Sequence, residues 1–254
     1  MPTNARDSKQ TVQVGRGSNR MQSAKTTSEA IDGLKNRLQQ GIAIDSYMYV
    51  EVLKRCLKQE DLSAVKQVHG CVIESGMQQN IYVANNLLIA YIRCGRLEDA
   101  RRLFDELVKK DVISWNVMIG GYAEHNRAKD AIELFNQMRQ DGVQPDAVTY
   151  LSILKACASP SALKWGKEVH ACIRRGGFEL DVRVGTALLK MYAKCGSIEA
   201  ARRTFDKLGS RDVISWTVMI GAYAESGCGE EAYGLLLQIT RQGFKPDSVT
   251  YMCT

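Results

Sequence analysis

The stretch DVISWNVMIGGYAE at residues 111–124 returns almost unchanged as DVISWTVMIGAYAE at 212–225, a displacement of 101 residues. The same displacement lays YIRCGRLEDARRLFDEL at 91–107 onto YAKCGSIEAARRTFDKL at 192–208, and Cys56, His69 and Cys71 onto Cys157, His170 and Cys172. DAVTY at 146–150 recurs as DSVTY at 247–251. Within the 101-residue block, an Asp or Asn opens each of a series of shorter repeats at 45–79, 80–110, 111–145, 146–180, 181–211 and 212–246, whose lengths are 35, 31, 35, 35, 31 and 35. A fixed period in this range marks a chain built by stacking one small supersecondary unit on the next.

Each repeat reads as two helices. In the second, Val83, Leu87, Tyr91 and Cys94 recur at helical spacing, Gly95 stops the helix, and Leu97, Ala100, Phe104 and Leu107 begin a new stripe. In the third, Trp115, Ile119 and Tyr122 form one stripe and Ala131, Leu134 and Met138 another, ended by Gly142 with Pro145 beyond it; Gly243 and Pro246 repeat that ending. One such pair cannot bury its apolar face alone, whereas stacked pairs can. The sequence therefore predicts an all-α fold, a right-handed α-solenoid of stacked helix-turn-helix repeats of 31 and 35 residues, with a groove lined by one helix of each pair. Residues 28–44 predict a capping helix, residues 1–27 a leader, and residues 247–254 the start of one further repeat.

Composition narrows the function classes. Hydrophobic residues are 45% and charged residues 24% of the 254, ordinary for a folded chain. No stretch approaches the roughly 18 apolar residues of a membrane helix, so no membrane partner is expected. Eight cysteines without a secretory signal point to a reducing compartment. The net charge is +6, but residues 1–44 carry +4 of it and the remaining 210 residues only +2. Charge alone does not make the repeats a nucleic-acid binder.

The "VISWNVMIGGYA" first helices, the "YAKCGSIEAARRTFD" short repeats, the "GVQPD" and "GFKPD" joints and the alternation of 35 and 31 residues together resemble the plant pentatricopeptide repeat proteins of the PLS subclass, over residues 45–254. Repeats 45–79 and 146–180 resemble the L type, 80–110 and 181–211 the S type, and 111–145 and 212–246 the P type. The tetratricopeptide repeat, with 34 residues and no short units, fits worse. The resemblance implies sequence-specific binding of single-stranded organellar RNA, one base per repeat. A splayed base offers its Watson–Crick edge, which two or three side chains per helical repeat can read.

The family pattern assigns base reading to the fifth residue of a repeat, counted after the opening Asp or Asn, together with the opening residue of the next. Carried onto this chain, it implies the pairs Asn85 with Asp111, Asn116 with Asp146, Thr186 with Asp212, and Thr217 with Asp247. Asn–Asp resembles a uridine reader and Thr–Asp a guanosine reader. Val50 with Asn80 and Leu151 with Asp181 offer an apolar fifth residue and are expected to read weakly or not at all. The implied core is 5′-UUNGG-3′. The second residues, Tyr47, Tyr82, Ile113, Val148, Arg183 and Ile214, are implied to sandwich bases, and Lys58, Arg93 and Lys194 to meet phosphates. The P-type repeats hold Glu124 and Glu225 at that last position instead.

Plainer readings stand beside these. An Asp ahead of a helix is a common cap in any such array. Trp115 and Trp216 lie on apolar stripes and read as core anchors. His69 and Cys71 are two residues apart on a helix and face different ways, no C-x-x-C pair exists, and no metal or cofactor is expected. Many PLS proteins end in a cytidine deaminase domain, whose H-x-E and P-C-x-x-C signature is absent from this chain. No enzyme activity is expected of it. The chain stops eight residues into a further L-type repeat, from which a fragment, a truncated gene model or a degenerate copy is expected. Residues 1–30 hold five basic residues, two acidic residues and eight Ser or Thr, a transit-peptide composition; the resemblance implies mitochondrion, with chloroplast as the alternative. The expected role is that of a monomeric specificity factor for organellar RNA processing, above all C-to-U editing, acting with an editing enzyme supplied in trans. A helical scaffold for protein partners and a non-functional truncated product are the alternatives.

Overall fold

A computed structural model describes residues 26–244. Most of the expected leader, the start of the further repeat, Pro246 and Asp247 lie outside the described residues. Among the described residues there are thirteen α-helices, two short 3-10 turns and no strand. The chain divides into two compact units, one up to Leu103 and one from Phe104 onward.

In the first unit, α1 (Thr27–Gln39) is followed by α2 (Ser46–Gln59), α3 (Leu62–Glu74), α4 (Ile81–Arg93) and the beginning of α5 (Leu97–Glu106). Thr26 caps α1 by accepting the Glu29 N–H. First helices stack on first helices, α2 on α4, while α3 packs against both. Their meeting faces are the apolar stripes: Tyr49, Val52, Leu53 and Cys56 of α2 and Val83, Leu87 and Leu88 of α4 are buried. The expected capping helix is α1, and it packs on α3, so it occupies the place of a second helix of a preceding pair. Thr27 Oγ1 donates to Gln59 Oε1 at 3.0 Å and Lys35 Nζ to Gln67 Oε1 at 2.7 Å, fixing that position with polar contacts around the buried Ala30, Ile31 and Leu34. Gly95 ends α4 at φ 69°, a left-handed conformation that a Cβ disfavours. The turn it makes lets Arg96 N–H reach back to the Tyr91 carbonyl at 2.8 Å.

The second unit continues with α6 (Val112–Glu124), α7 (Ala128–Gln140), α8 (Ala147–Ala156), α9 (Leu163–Arg175), α10 (Val182–Lys194), α11 (Ile198–Lys207), α12 (Val213–Glu225) and α13 (Gly229–Arg241). Here α6, α8, α10 and α12 stack in sequence, and α7, α9, α11 and α13 each pack against the first helix of their own pair. A first helix flanked on both sides must be apolar around most of its circumference, which is why VISWNVMIGGYAE shows so little polar face. Trp115 and Trp216 fill equivalent places. Each meets a phenylalanine of the preceding repeat edge-on, Phe104 and Phe205 respectively, with ring centroids 4.8 Å apart and planes at 77°. The packing thus repeats with the same 101-residue displacement as the sequence.

Burial and exposure alternate along α12, and this makes a test. Trp216→Ala is expected to cost about 3–5 kcal/mol in urea unfolding, the loss typical of a buried large aromatic. Ile214→Ala, two residues earlier but half exposed, is expected to stay within about 0.5 kcal/mol of wild type. Equal losses at the two positions would contradict the assignment of the two faces.

Candidate nucleic-acid interface

Every opening residue within the described repeats caps its first helix. The acceptor is Oδ1 in each case: from Met48 N–H to Asp45 at 2.8 Å, Val83 to Asn80 at 3.1 Å, Ser114 to Asp111 at 2.8 Å, Thr149 to Asp146 at 2.8 Å, Val184 to Asp181 at 3.0 Å, and Ser215 to Asp212 at 2.8 Å. Such a cap satisfies one of the backbone donors that a helix start leaves unpaired. It occupies one side-chain oxygen.

In the second unit the joint of Asn116 and Asp146 is closed by side chains thirty residues apart. Asn116 Nδ2 donates to Asp146 Oδ1 at 3.0 Å, and Thr149 Oγ1 lies 2.6 Å from Asn116 Oδ1. Burial raises the Asp146 pKa, but hydrogen bonds led by those from the Thr149 N–H and the Asn116 amide outweigh it and hold the carboxyl below its ordinary value. The joint of Thr186 and Asp212 is arranged differently. Thr186 is 7% exposed and its hydroxyl has no hydrogen-bond partner among the described residues, while Ser215 Oγ turns to the Asp212 carbonyl at 2.8 Å. Thr217 Oγ1 donates to the Val213 carbonyl of its own helix at 2.8 Å. Asp247, its expected partner, lies outside the described residues. Asn85 is 5% exposed in the first unit, and Asp111 belongs to the second.

The two expected weak readers part company. Leu151 is half-buried, and Asp181 caps α10. Val50, expected to read weakly with Asn80 if at all, is fully buried at 0% exposure.

Second residues behave as a set. Tyr47, Tyr82, Ile113, Val148 and Ile214 are all 47–60% exposed, and Arg183 is exposed as well. Five large apolar side chains held in solvent at the same place in the first turn contrast with the buried stripes a residue or two away. Lys58, Arg93 and Lys194 are exposed in the last turns of α2, α4 and α10, where a cation also complements the helix dipole. Glu124 of α6 lies 3.9 Å from Lys155 of α8.

Three residues were not singled out from sequence. Thr149, Ser114 and Ser215 stand three positions after an opening Asp, the spacing of a capping box, and that pattern was available to be read. Both first-helix tyrosines that follow the L-type repeats also hold histidines. His69 Nδ1 lies 2.8 Å from Tyr91 Oη, and His170 Nδ1 2.9 Å from Tyr192 Oη. Burial lowers the His170 pKa, against the raising effect of the Glu179 carboxylate. The buried thiols of Cys56 and Cys157 are pushed up to about 11 and about 12, far from the thiolate that a metal or a nucleophile's role needs. Among the described residues, no three His, Cys, Asp or Glu side chains gather as a metal site, no disulfide is present, and no helix is long and apolar enough to cross a membrane.

The PPR repeat family model matches residues 110–159 and 211–253, and the PPR repeat model residues 82–112 and 186–213, together more than half of the chain. A pentatricopeptide repeat-containing protein of Arabidopsis thaliana is 38% identical over 208 residues, 82% of this chain and 29% of its own length. A mitochondrial relative from the same plant is 36% identical over 212 residues, 84% of this chain and 34% of its own. A chloroplastic one is 34% identical over 206 residues, 81% and 26% respectively. The chain spans about a third or less of these relatives. Among solved structures, the crystal structure of the pentatricopeptide repeat protein PPR10 from maize superposes with a TM-score of 0.72 at 20% identity, covering 89% of this chain and 33% of that one. PPR10 in complex with an 18-nt psaJ RNA element gives 0.65 at 20% identity, over 89% and 34%. At that identity the likeness is one of fold: stacked helix-turn-helix repeats forming an α-solenoid.

The Asp146 network generates a pH test. A carboxyl held below its ordinary value binds its proton less readily folded than unfolded. Its contribution to stability is complete above the ordinary Asp range and is lost as pH falls through that range toward the folded value. Asp146→Asn keeps an acceptor for the cap and removes the titration. The stability difference between wild type and Asp146→Asn, read by urea unfolding, is expected to shrink on acidification below about pH 4. A difference that stays constant down to about pH 3 would show that the charge contributes nothing.

Proposed function

The chain belongs to the pentatricopeptide repeat family, and from that premise we propose that it binds single-stranded RNA in a sequence-specific way, one base per repeat. The observation that carries the reading is the direct bond between Asn116 and Asp146. Two residues from successive repeats, thirty positions apart, are held as one polar unit beside a row of exposed apolar side chains. Their combined edge presents an N–H of Asn116 and a carboxylate oxygen of Asp146, a donor next to an acceptor. Uracil presents the complement, a carbonyl oxygen next to the N3–H. Ile113 and Val148, exposed in the flanking first turns, offer apolar contact to the faces of a base, which is indifferent to sequence.

Within this proposal the repeats run 45–79, 80–110, 111–145, 146–180, 181–211 and 212–246, in the L, S, P order of the plant PLS subclass. The pairs Asn85–Asp111 and Asn116–Asp146 read uridine, Thr186–Asp212 and Thr217–Asp247 read guanosine, and Leu151–Asp181 leaves its nucleotide unread. The target core is 5′-UUNGG-3′. Lys58, Arg93 and Lys194 add phosphate contacts that give affinity without sequence information. The biological role we assign is that of a monomeric specificity factor in organellar RNA processing, C-to-U editing above all, with the deaminase chemistry outside these repeats. Relatives named as mitochondrial and as chloroplastic support an organelle; the leader composition favours the mitochondrion, with the chloroplast as alternative.

Fluorescence anisotropy at low salt tests the reading with two short RNAs, one bearing UUAGG and one UGAGG. Wild type is expected to favour the first, and Asn116→Thr the second, each by about 1–3 kcal/mol, the discrimination typical of a hydrogen-bonded base contact. Equal binding of both RNAs by both proteins would leave an electrostatic contact only. No binding at all would favour a scaffold for protein partners.

A further inference from the structure

Asn116 has two polar ends of nearly the same shape, and a base meets either an amide N–H or a carbonyl oxygen depending on which way the amide is turned. Asp146 and Thr149 both touch it. Thr149 Oγ1 lies 2.6 Å from Asn116 Oδ1, 2.9 Å from Asp146 Oδ1 and 3.1 Å from the Asp146 backbone nitrogen. The backbone nitrogen donates to the hydroxyl, which leaves the hydroxyl one proton of its own to give. Asp146 Oδ1 already accepts the Thr149 N–H at 2.8 Å and Asn116 Nδ2 at 3.0 Å. Asn116 Oδ1 is the nearer acceptor and has no other donor among the hydrogen bonds of the joint. The proton goes there. With the amide turned over, its carbonyl oxygen would face a carboxylate oxygen at about the same 3.0 Å, acceptor against acceptor, and no donor could relieve it.

We infer that Thr149 is a specificity-positioning residue: its hydroxyl, acting together with Asp146 Oδ1, holds the Asn116 amide so that this joint offers a base an N–H and never a carbonyl. The inference rests on the base-reading function proposed above and adds a third residue to the pair. The arrangement differs from that at the Thr186–Asp212 joint. Ser215 occupies the corresponding place at the Thr186–Asp212 joint, three residues after the opening Asp, but its hydroxyl is spent on the Asp212 carbonyl at 2.8 Å. Thr186 Oγ1 accordingly has no partner there among the described residues. Thr149 therefore acts through Asn116, whereas Ser215 serves its own helix.

The test uses the full chain and four RNAs that differ only at the second nucleotide of the core: UUAGG, UCAGG, UGAGG and UAAGG. Thr149→Val removes the hydroxyl and keeps the branched shape and the backbone N–H that caps α8. It is expected to lower the preference for uridine over the next-best base about 3- to 10-fold, the worth of one neutral hydrogen bond. Preference at the first nucleotide, probed with GUAGG against UUAGG, is expected to be unchanged. Thr149→Ser is expected to restore the uridine preference, a rescue that a packing role for the methyl group would not give. Should Thr149→Val lower the melting temperature enough to obscure binding, Thr149→Ala carries the same expectation without added bulk. Wild-type preference for uridine that Thr149→Val and Thr149→Ala both retain within twofold would overturn the inference and leave base reading intact. A loss that Thr149→Ser fails to restore would overturn it as well. Absence of any preference at this nucleotide in the wild type would instead remove the base-reading proposal itself, and this inference with it.

Discussion

A backbone N–H in the first turn of each first helix donates to a side-chain oxygen of the residue that opens the repeat, at Asp45, Asn80, Asp111, Asp146, Asp181 and Asp212. That one hydrogen bond sets where each first helix begins, and the rest of each repeat is counted from it. It fixes the second residue in the exposed part of the first turn, turns Trp115 and Trp216 into the core, and in the second unit brings Asn116 against Asp146. Each cap contributes roughly 1 kcal/mol. Their larger effect is on register, since a helix beginning one residue later would rotate every side chain by about 100°.

Much of this was written in the sequence because a repeat states its pattern more than once. The displacement of 101 residues, the opening Asp or Asn and the stripes at Val83, Leu87 and Tyr91 or Trp115, Ile119 and Tyr122 led to helices where the structure has α4 and α6. What sequence spacing could not supply was direction. Thr149 and Ser215 hold equivalent places, three residues after an opening Asp, yet one hydroxyl faces a side chain 33 residues back and the other its own turn. Nothing local separates them; the difference is that Asn116 offers a carbonyl oxygen within reach and Thr186 does not. Val50 shows the converse. Its apolar character was legible, its complete burial was not, because burial depends on the neighbouring helices packed around it.

Stability in such an array is close to a sum over neighbours, so a change at one joint is felt mainly by the pairs that share it. The aromatic contacts that recur with the repeat, Phe104 with Trp115 and Phe205 with Trp216, hold adjacent pairs together away from the opening residues. The half-exposed apolar side chains of the first turns carry little of that burden. Buried anchors and exposed second residues are thus separated along each first helix by a step of one or two positions.

The central claim, that successive joints read successive bases in a fixed order, is tested most directly by selecting bound RNA from a fully randomised pool and sequencing it. The account predicts enrichment of a contiguous U-U-N-G-G, in that 5′ to 3′ order, with the third position unconstrained. A pool that stays flat, or an enriched motif in which the preferences do not follow the order of the repeats, would contradict it.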